Sequence, residues 1–112
     1  MNKEQLKNIL VCGGGATLKN GKIKELKSGY MVSLKMYEKV LNKDLINIDF
    51  LLKELLKNSK GFYIGLWCNN NNIYIDYSIR IKTLKKALEL GKQEQQEAIY
   101  NNKKQECIFI EY

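Results

Sequence analysis

The stretch from 61 to 82, "GFYIGLWCNNNNIYIDYSIRIK", constrains this chain more than any other. Phe62, Ile64, Leu66 and Cys68 fall on one parity, and Ile73, Ile75, Tyr77 and Ile79 continue it after a run of asparagines. Side chains of a strand alternate between faces, so this pattern predicts two strands folded around Asn69–Asn72 with one apolar face. Aligned there, Cys68 faces Ile73, Leu66 faces Ile75, Ile64 faces Tyr77 and Phe62 faces Ile79. A slip of one residue would turn the apolar set to solvent, so the register is fixed by burial. The other parity carries Tyr63, Gly65, Trp67, Tyr74, Asp76, Ser78 and Arg80. Trp67 then faces Tyr74, Gly65 faces Asp76, and Tyr63 faces Ser78.

An apolar sheet face needs a cover. Residues 47–59 supply one: Ile48, Leu51, Leu52, Leu55 and Leu56 form a stripe at helical spacing, with Asn47 as cap and Gly61 as a left-handed stop. Thr83 caps a second helix, 84–93, whose stripe is Leu84, Ala87, Leu88 and Gly91. Asn20-Gly21 is a two-residue hairpin turn, because both positions accept positive φ, and joins Ala16–Lys19 to Lys22–Leu26. Ser28-Gly29 is a second turn, leading into a strand from Tyr30 to about Lys35, with an extension toward Val40 open. Ala98–Tyr100 pairs with Glu106–Tyr112 across "NNKKQ". Residues 2–10 read as a short helix or a frayed end. The expected order is βββ-α-ββ-α-ββ: a single α+β domain over 1–112, with an antiparallel sheet of about seven strands and two amphipathic helices on one face.

Composition narrows the chemistry. There is no histidine, which removes Ser–His–Asp, Cys–His and histidine-metal arrangements. Cys12, Cys68 and Cys107 are odd in number and lack metal spacing, so each reads as a small apolar residue rather than part of a zinc or disulfide framework. No metal or cofactor is expected. No apolar run approaches the roughly 20 residues of a membrane span, and the N-terminus lacks signal-peptide character, so the expected location is cytoplasmic, with no membrane partner. The formal net charge of +7 rests on lysine, Arg80 being the only arginine. Lysine attracts polyanions loosely and does not read bases in a forked geometry. The plainer account is a Lys-, Asn- and Ile-rich composition of the kind an AT-rich coding sequence gives.

Four features invite a functional reading. Gly13-Gly14-Gly15 lacks the spacing of a phosphate loop and precedes a strand, so a flexible joint or a close backbone approach explains it better. Asp76 is a single carboxylate without the partner that acid–base catalysis needs; as a surface residue it would make a local ion pair with Arg80. Tyr63, Trp67 and Tyr74, flanked by Asp76 and Arg80, have the make-up of a recognition hot spot on an open sheet face. The alternative is that a terminal strand, a loop or a second copy covers them. Lys85-Lys86, Lys103-Lys104 and Gln93, Gln95 and Gln96 read as polar surface.

"GGATLKNGKIKELKSGYMVSL", "GLWCNNNNIYIDYSIRI" and "KKALELGKQEQQEAIY" resemble a group of small accessory proteins encoded by phages and other mobile elements of low-GC Gram-positive bacteria. The resemblance runs from about Gly14 to Tyr100. It carries over no catalytic residue. It implies an anti-defence protein: an anti-CRISPR-type inhibitor that binds a host defence effector protein, such as a CRISPR nuclease or complex, in the host cytoplasm without catalysis. The alternatives are a Thoeris-antagonist-like sponge that sequesters a nucleotide immune signal at a homo-oligomer interface, and a basic nucleic-acid-binding accessory protein. The basic charge departs from the acidic, DNA-mimicking style of many inhibitors. In the inhibitor reading Trp67 and Tyr74 are anchors, Tyr63 is at their edge, and Asp76 and Arg80 supply polar specificity.

Overall fold

In a computed structural model that describes all 112 residues, the chain is α+β, with three helices and an eight-stranded antiparallel sheet. The 61–82 hairpin is its centre. Strand β5 (Tyr63–Asn69) pairs with β6 (Asn72–Ile81) in the expected register: Ile64 with Tyr77, Leu66 with Ile75, Trp67 with Tyr74 and Cys68 with Ile73. The turn is tighter than four residues. Asn69 already pairs with Asn72, and Asn70 takes a positive φ of 54°.

The remaining strands add to both edges. β1 (Gly14–Lys19) pairs with β5, and the short β2 (Lys22–Ile23) pairs with β1 across the Asn20-Gly21 turn, where both residues have positive φ. The second arm of this hairpin ends at Ile23, not Leu26. On the far edge of β6, β3 (Tyr30–Ser33) pairs with residues 78–81 and β4 (Lys39–Asn42) with residues 72–75. The strand expected to reach about Lys35 ends at Ser33, and it does not extend toward Val40: Lys35–Tyr37 form a 3-10 turn that carries the Tyr37 ring to 5.4 Å from Phe62 and 5.7 Å from Tyr77. The turn gathers three aromatic rings, with Phe62 and Tyr77 themselves 5.7 Å apart. β7 (Ala98–Asn101) pairs with β3, and β8 (Glu106–Phe109) closes the C-terminal hairpin. The order is α-ββββ-α-ββ-α-ββ, one helix and one strand more than the sequence suggests.

The extra helix is α1 (Lys3–Cys12). Asn2 and Gln5 cap it reciprocally, each side chain accepting from the other's backbone N–H at 2.9 Å, and Leu6 and Leu10 are buried. Helix α2 (Ile48–Asn58) begins with Asn47 Oδ1 accepting from Phe50 N at 3.0 Å. Its end differs from expectation. Gly61 does not take a left-handed conformation; the fully buried Ser59 does the capping instead. Ser59 Oγ donates to Leu56 O and accepts from Gly21 N, both at 2.8 Å, and Ser59 O accepts from Asn20 N. The helix end and the Asn20-Gly21 turn are thus one joint, which a glycine stop would not provide. Helix α3 (Leu84–Gln93) is capped by Thr83 as expected, though Leu84 is exposed rather than on the buried stripe.

Leu6, Leu10, Leu51 and Leu55 from α1 and α2 pack on Leu18, Ile64, Leu66, Cys68, Ile73 and Ile75 of the sheet. A smaller cluster joins Ala87 of α3 to Val32, Ile99 and Ile110. Val32 pairs with Ile79, so by strand parity it shares the face of Ile73 and Ile75. No helix is long and apolar enough to cross a membrane.

Candidate functional site

The other parity of the strands makes the opposite face, and no helix covers it. Among its outward residues are Gly15 and Thr17 from β1, Tyr63, Gly65 and Trp67 from β5, Asp76 and Ser78 from β6, Met31 and Ser33 from β3, and Tyr100 and Cys107 from the C-terminal hairpin. All of these line one open trough of about 710 Å³. One side is roofed by a strap. To pass from β2 to β3 the chain must cross β1, β5 and β6, and it does so over this face, with Glu25, Leu26 and Lys27 lining the trough.

The structure brings together three of the five residues singled out from the sequence. Tyr63, Trp67 and Asp76 line the trough. Trp67 is 55% exposed, and its ring lies across Gly15: a Cβ on that glycine would sit 2.9 Å from Trp67 Cε3 and 2.5 Å from Leu66 O. Tyr63 is half-buried, with Lys19 Nζ 5.1 Å from its ring centroid. Tyr74 pairs with Trp67 on the same face but lies beyond the trough, 37% exposed beside Val40. Arg80 is turned away from the trough and onto the strap. Its Nε donates to Ser28 O at 3.0 Å and a terminal nitrogen donates to Ser28 Oγ, over Gly29, whose positive φ and contact with the guanidinium leave no room for a side chain. Asn102 Nδ2 also donates to Ser28 O. The guanidinium fastens the strap.

Asp76 sits on the trough floor without a cation within salt-bridge distance; the molecule's one ion pair joins Lys3 to Asp49 at the surface. Burial, and second the charge of Glu38, hold its carboxyl above the usual aspartate range. Glu38 accepts from Gln96 Nε2 at 3.0 Å, so the glutamines that read as plain surface tie the end of α3 to the 3-10 turn. Beside Asp76, Ser33 and Ser78 hydroxyls lie 3.3 Å apart. Ser33, Tyr100 and Glu38 carry no signal in the sequence, because only the pairings of β3 with β6 and β7 and of β4 with β6, remote in sequence, bring them here. Leu26 did leave a signal, as an apolar residue inside "KIKELKSG".

The glycine run is fully accounted for by backbone. Gly13 ends α1 and, with Gly14, has positive φ, while Gly15 admits the close approach of Leu66 O. Of the cysteines, Cys68 is buried and Cys12 and Cys107 are exposed, so only the first behaves as a core residue. A second, apolar recess of about 250 Å³ lies between β4 and α2, lined by Leu41, Ile46, Leu51 and Ile75 and edged by the exposed Leu45 and Phe50. Phe50 stands off the apolar stripe of α2, the one trace of this recess in the sequence. Comparison of the chain with protein-family models, curated proteins and solved structures finds no match.

Proposed function

We propose that the chain is a binding protein without turnover, which uses the open sheet face to block a partner protein. In the setting its sequence resemblance implies, that partner is a host antiviral effector, and the chain is an anti-CRISPR-type antagonist of bacterial defence. The observation that carries the reading is the exposed Trp67, held on Gly15 at the rim of a trough that no helix covers. An anchored aromatic beside a recess, with polar groups behind it, is the composition of an interface hot spot. The absence of histidine from the sequence fits a role without general-base chemistry. A nucleotide sponge fits less well. The chain's only guanidinium, Arg80, is committed to Ser28, and the trough floor carries a carboxylate, with Lys27 of the strap as the one cation in the lining.

Native mass spectrometry of the tagged protein recovered from a host lysate tests this. A stoichiometric protein partner, lost in Trp67→Ala at unchanged melting temperature, is the expected result. A small mass retained on a homo-oligomer would replace the reading with the sponge. Unfolding of Trp67→Ala would remove Trp67 from the site.

A further inference from the structure

Resting on that reading, we infer that the trough receives a basic side chain of the partner, a guanidinium or an ammonium group, with Asp76 as its counter-charge and the Trp67 ring as its wall. Charge complementarity carries the argument. The chain has 19 basic residues against 12 acidic ones, yet no basic residue lies within salt-bridge distance of Asp76. The carboxylate also accepts no hydrogen bond from the protein, although it is half-buried at the centre of the sheet. An ionised group left in that position costs stability unless something arrives to pair with it. Glu38 lies beside it, and of the strap's two charged residues in the lining Glu25 offsets Lys27, so the balance around the carboxylate stays negative and favours a cationic group over an anionic one.

The geometry fits the same occupant. Gly65 lies across from Asp76, and a Cβ there would only just touch Asp76 Cβ, at 3.6 Å, so the space over the carboxylate is open. The Ser33 and Ser78 hydroxyls beside it can accept the N–H groups that a carboxylate leaves unbonded on a guanidinium. Aromatic faces attract cations; Lys19 already stands over the Tyr63 ring, so the exposed Trp67 ring is the wall left for a guest cation. Arg80, the chain's own guanidinium, is held away by Ser28 and does not compete.

Trp67 is the only tryptophan, so its emission reports on the trough directly. The experiment titrates the intact protein with N-acetyl-arginine methylamide, with the neutral isostere N-acetyl-citrulline methylamide, and with ADP. Expected is a saturable change with the arginine compound, absent with citrulline, and weakened about tenfold or more in Asp76→Asn, as for loss of a charge-assisted contact. A second variant, Gly65→Ala, keeps the carboxylate and narrows the space over it; it too weakens the response. Equal response to citrulline, an unchanged response in Asp76→Asn, a response to ADP alone, or none to the arginine compound overturns the inference. Partner capture separates the two readings. Capture lost in Trp67→Ala but kept in Asp76→Asn leaves the binding function standing and removes the basic side chain from it. Failure to capture a protein removes the function itself, whatever the arginine compound does.

Discussion

The inner and outer faces of β5 and β6 take alternate residues of one stretch of chain, and they are packed to opposite degrees. Inside, Ile64 and Ile73 are fully buried and Leu66 and Ile75 nearly so. Outside, Trp67 and Tyr74 keep 55% and 37% of their surface in water, and Asp76 waits without a partner. Burying a large aliphatic side chain is worth about 1.5–3 kcal/mol, so the inner parity fixes the register and holds the sheet. The outer parity inherits that register without contributing much to it. Residues there can be chosen for contact with something else, even at a cost to the fold.

The comparison breaks most sharply from the inside. Ile64→Ala removes a fully buried side chain between α2 and the sheet, and should cost about 2–5 kcal/mol in urea unfolding. A cost no larger than that of Trp67→Ala would abolish the distinction between the faces. Next is Gly15→Ala, on the outer parity. Its methyl meets the Leu66 carbonyl and the indole, and the backbone cannot give way cheaply, so a loss of about 1–3 kcal/mol is expected together with a shift in Trp67 emission. Stability lost with the emission unchanged would mean that the ring does not rest on this glycine.

Arg80→Lys acts on the strap alone. A lysine cannot reproduce the two contacts with Ser28, and about 1 kcal/mol should be lost. The sharper readout is limited trypsin digestion, which should speed up at Lys24 and Lys27 while the core resists. Asp76→Asn has the smallest effect and the opposite sign. A carboxyl whose folded pKa lies above its unfolded value holds its proton longer in the folded state, so stability falls as pH rises from the unfolded pKa through the folded one. Asparagine abolishes that loss, so the variant should melt slightly higher than the parent at neutral pH and equally below the normal aspartate range. A lower melting temperature at neutral pH would mean that the carboxylate is satisfied within the fold.

What the sequence makes legible follows from the range of each interaction. The hairpin register, both later helices and the Asn20-Gly21 turn are set by residues close together in the chain, and each is where the pattern places it. The break at Lys35–Tyr37 was hidden because it serves Phe62 and Tyr77, which lie some way along the chain. The cap by Ser59 was hidden because its partner is the remote Asn20-Gly21 turn. At the site, parity was enough to put Tyr63, Trp67 and Asp76 on one face. It could not place Arg80, whose fate depends on where the Ser28 carbonyl comes to lie.

The strap has a consequence for the size of whatever enters. From Ile23 to Tyr30 the chain takes seven Cα–Cα steps, which can reach at most about 23–25 Å, and the four strand spacings from β2 to β3 amount to about 19 Å. The segment is therefore a short tether with only a few ångström to spare, its far end bolted by Arg80 and Asn102. So short a tether rises only a little to admit a bulkier guest. The aperture is written in loop length rather than in the side chains of the floor. Glycines inserted after Lys27 should widen it step by step, visible as increasing access of a neutral quencher to Trp67, while the sheet beneath keeps its register.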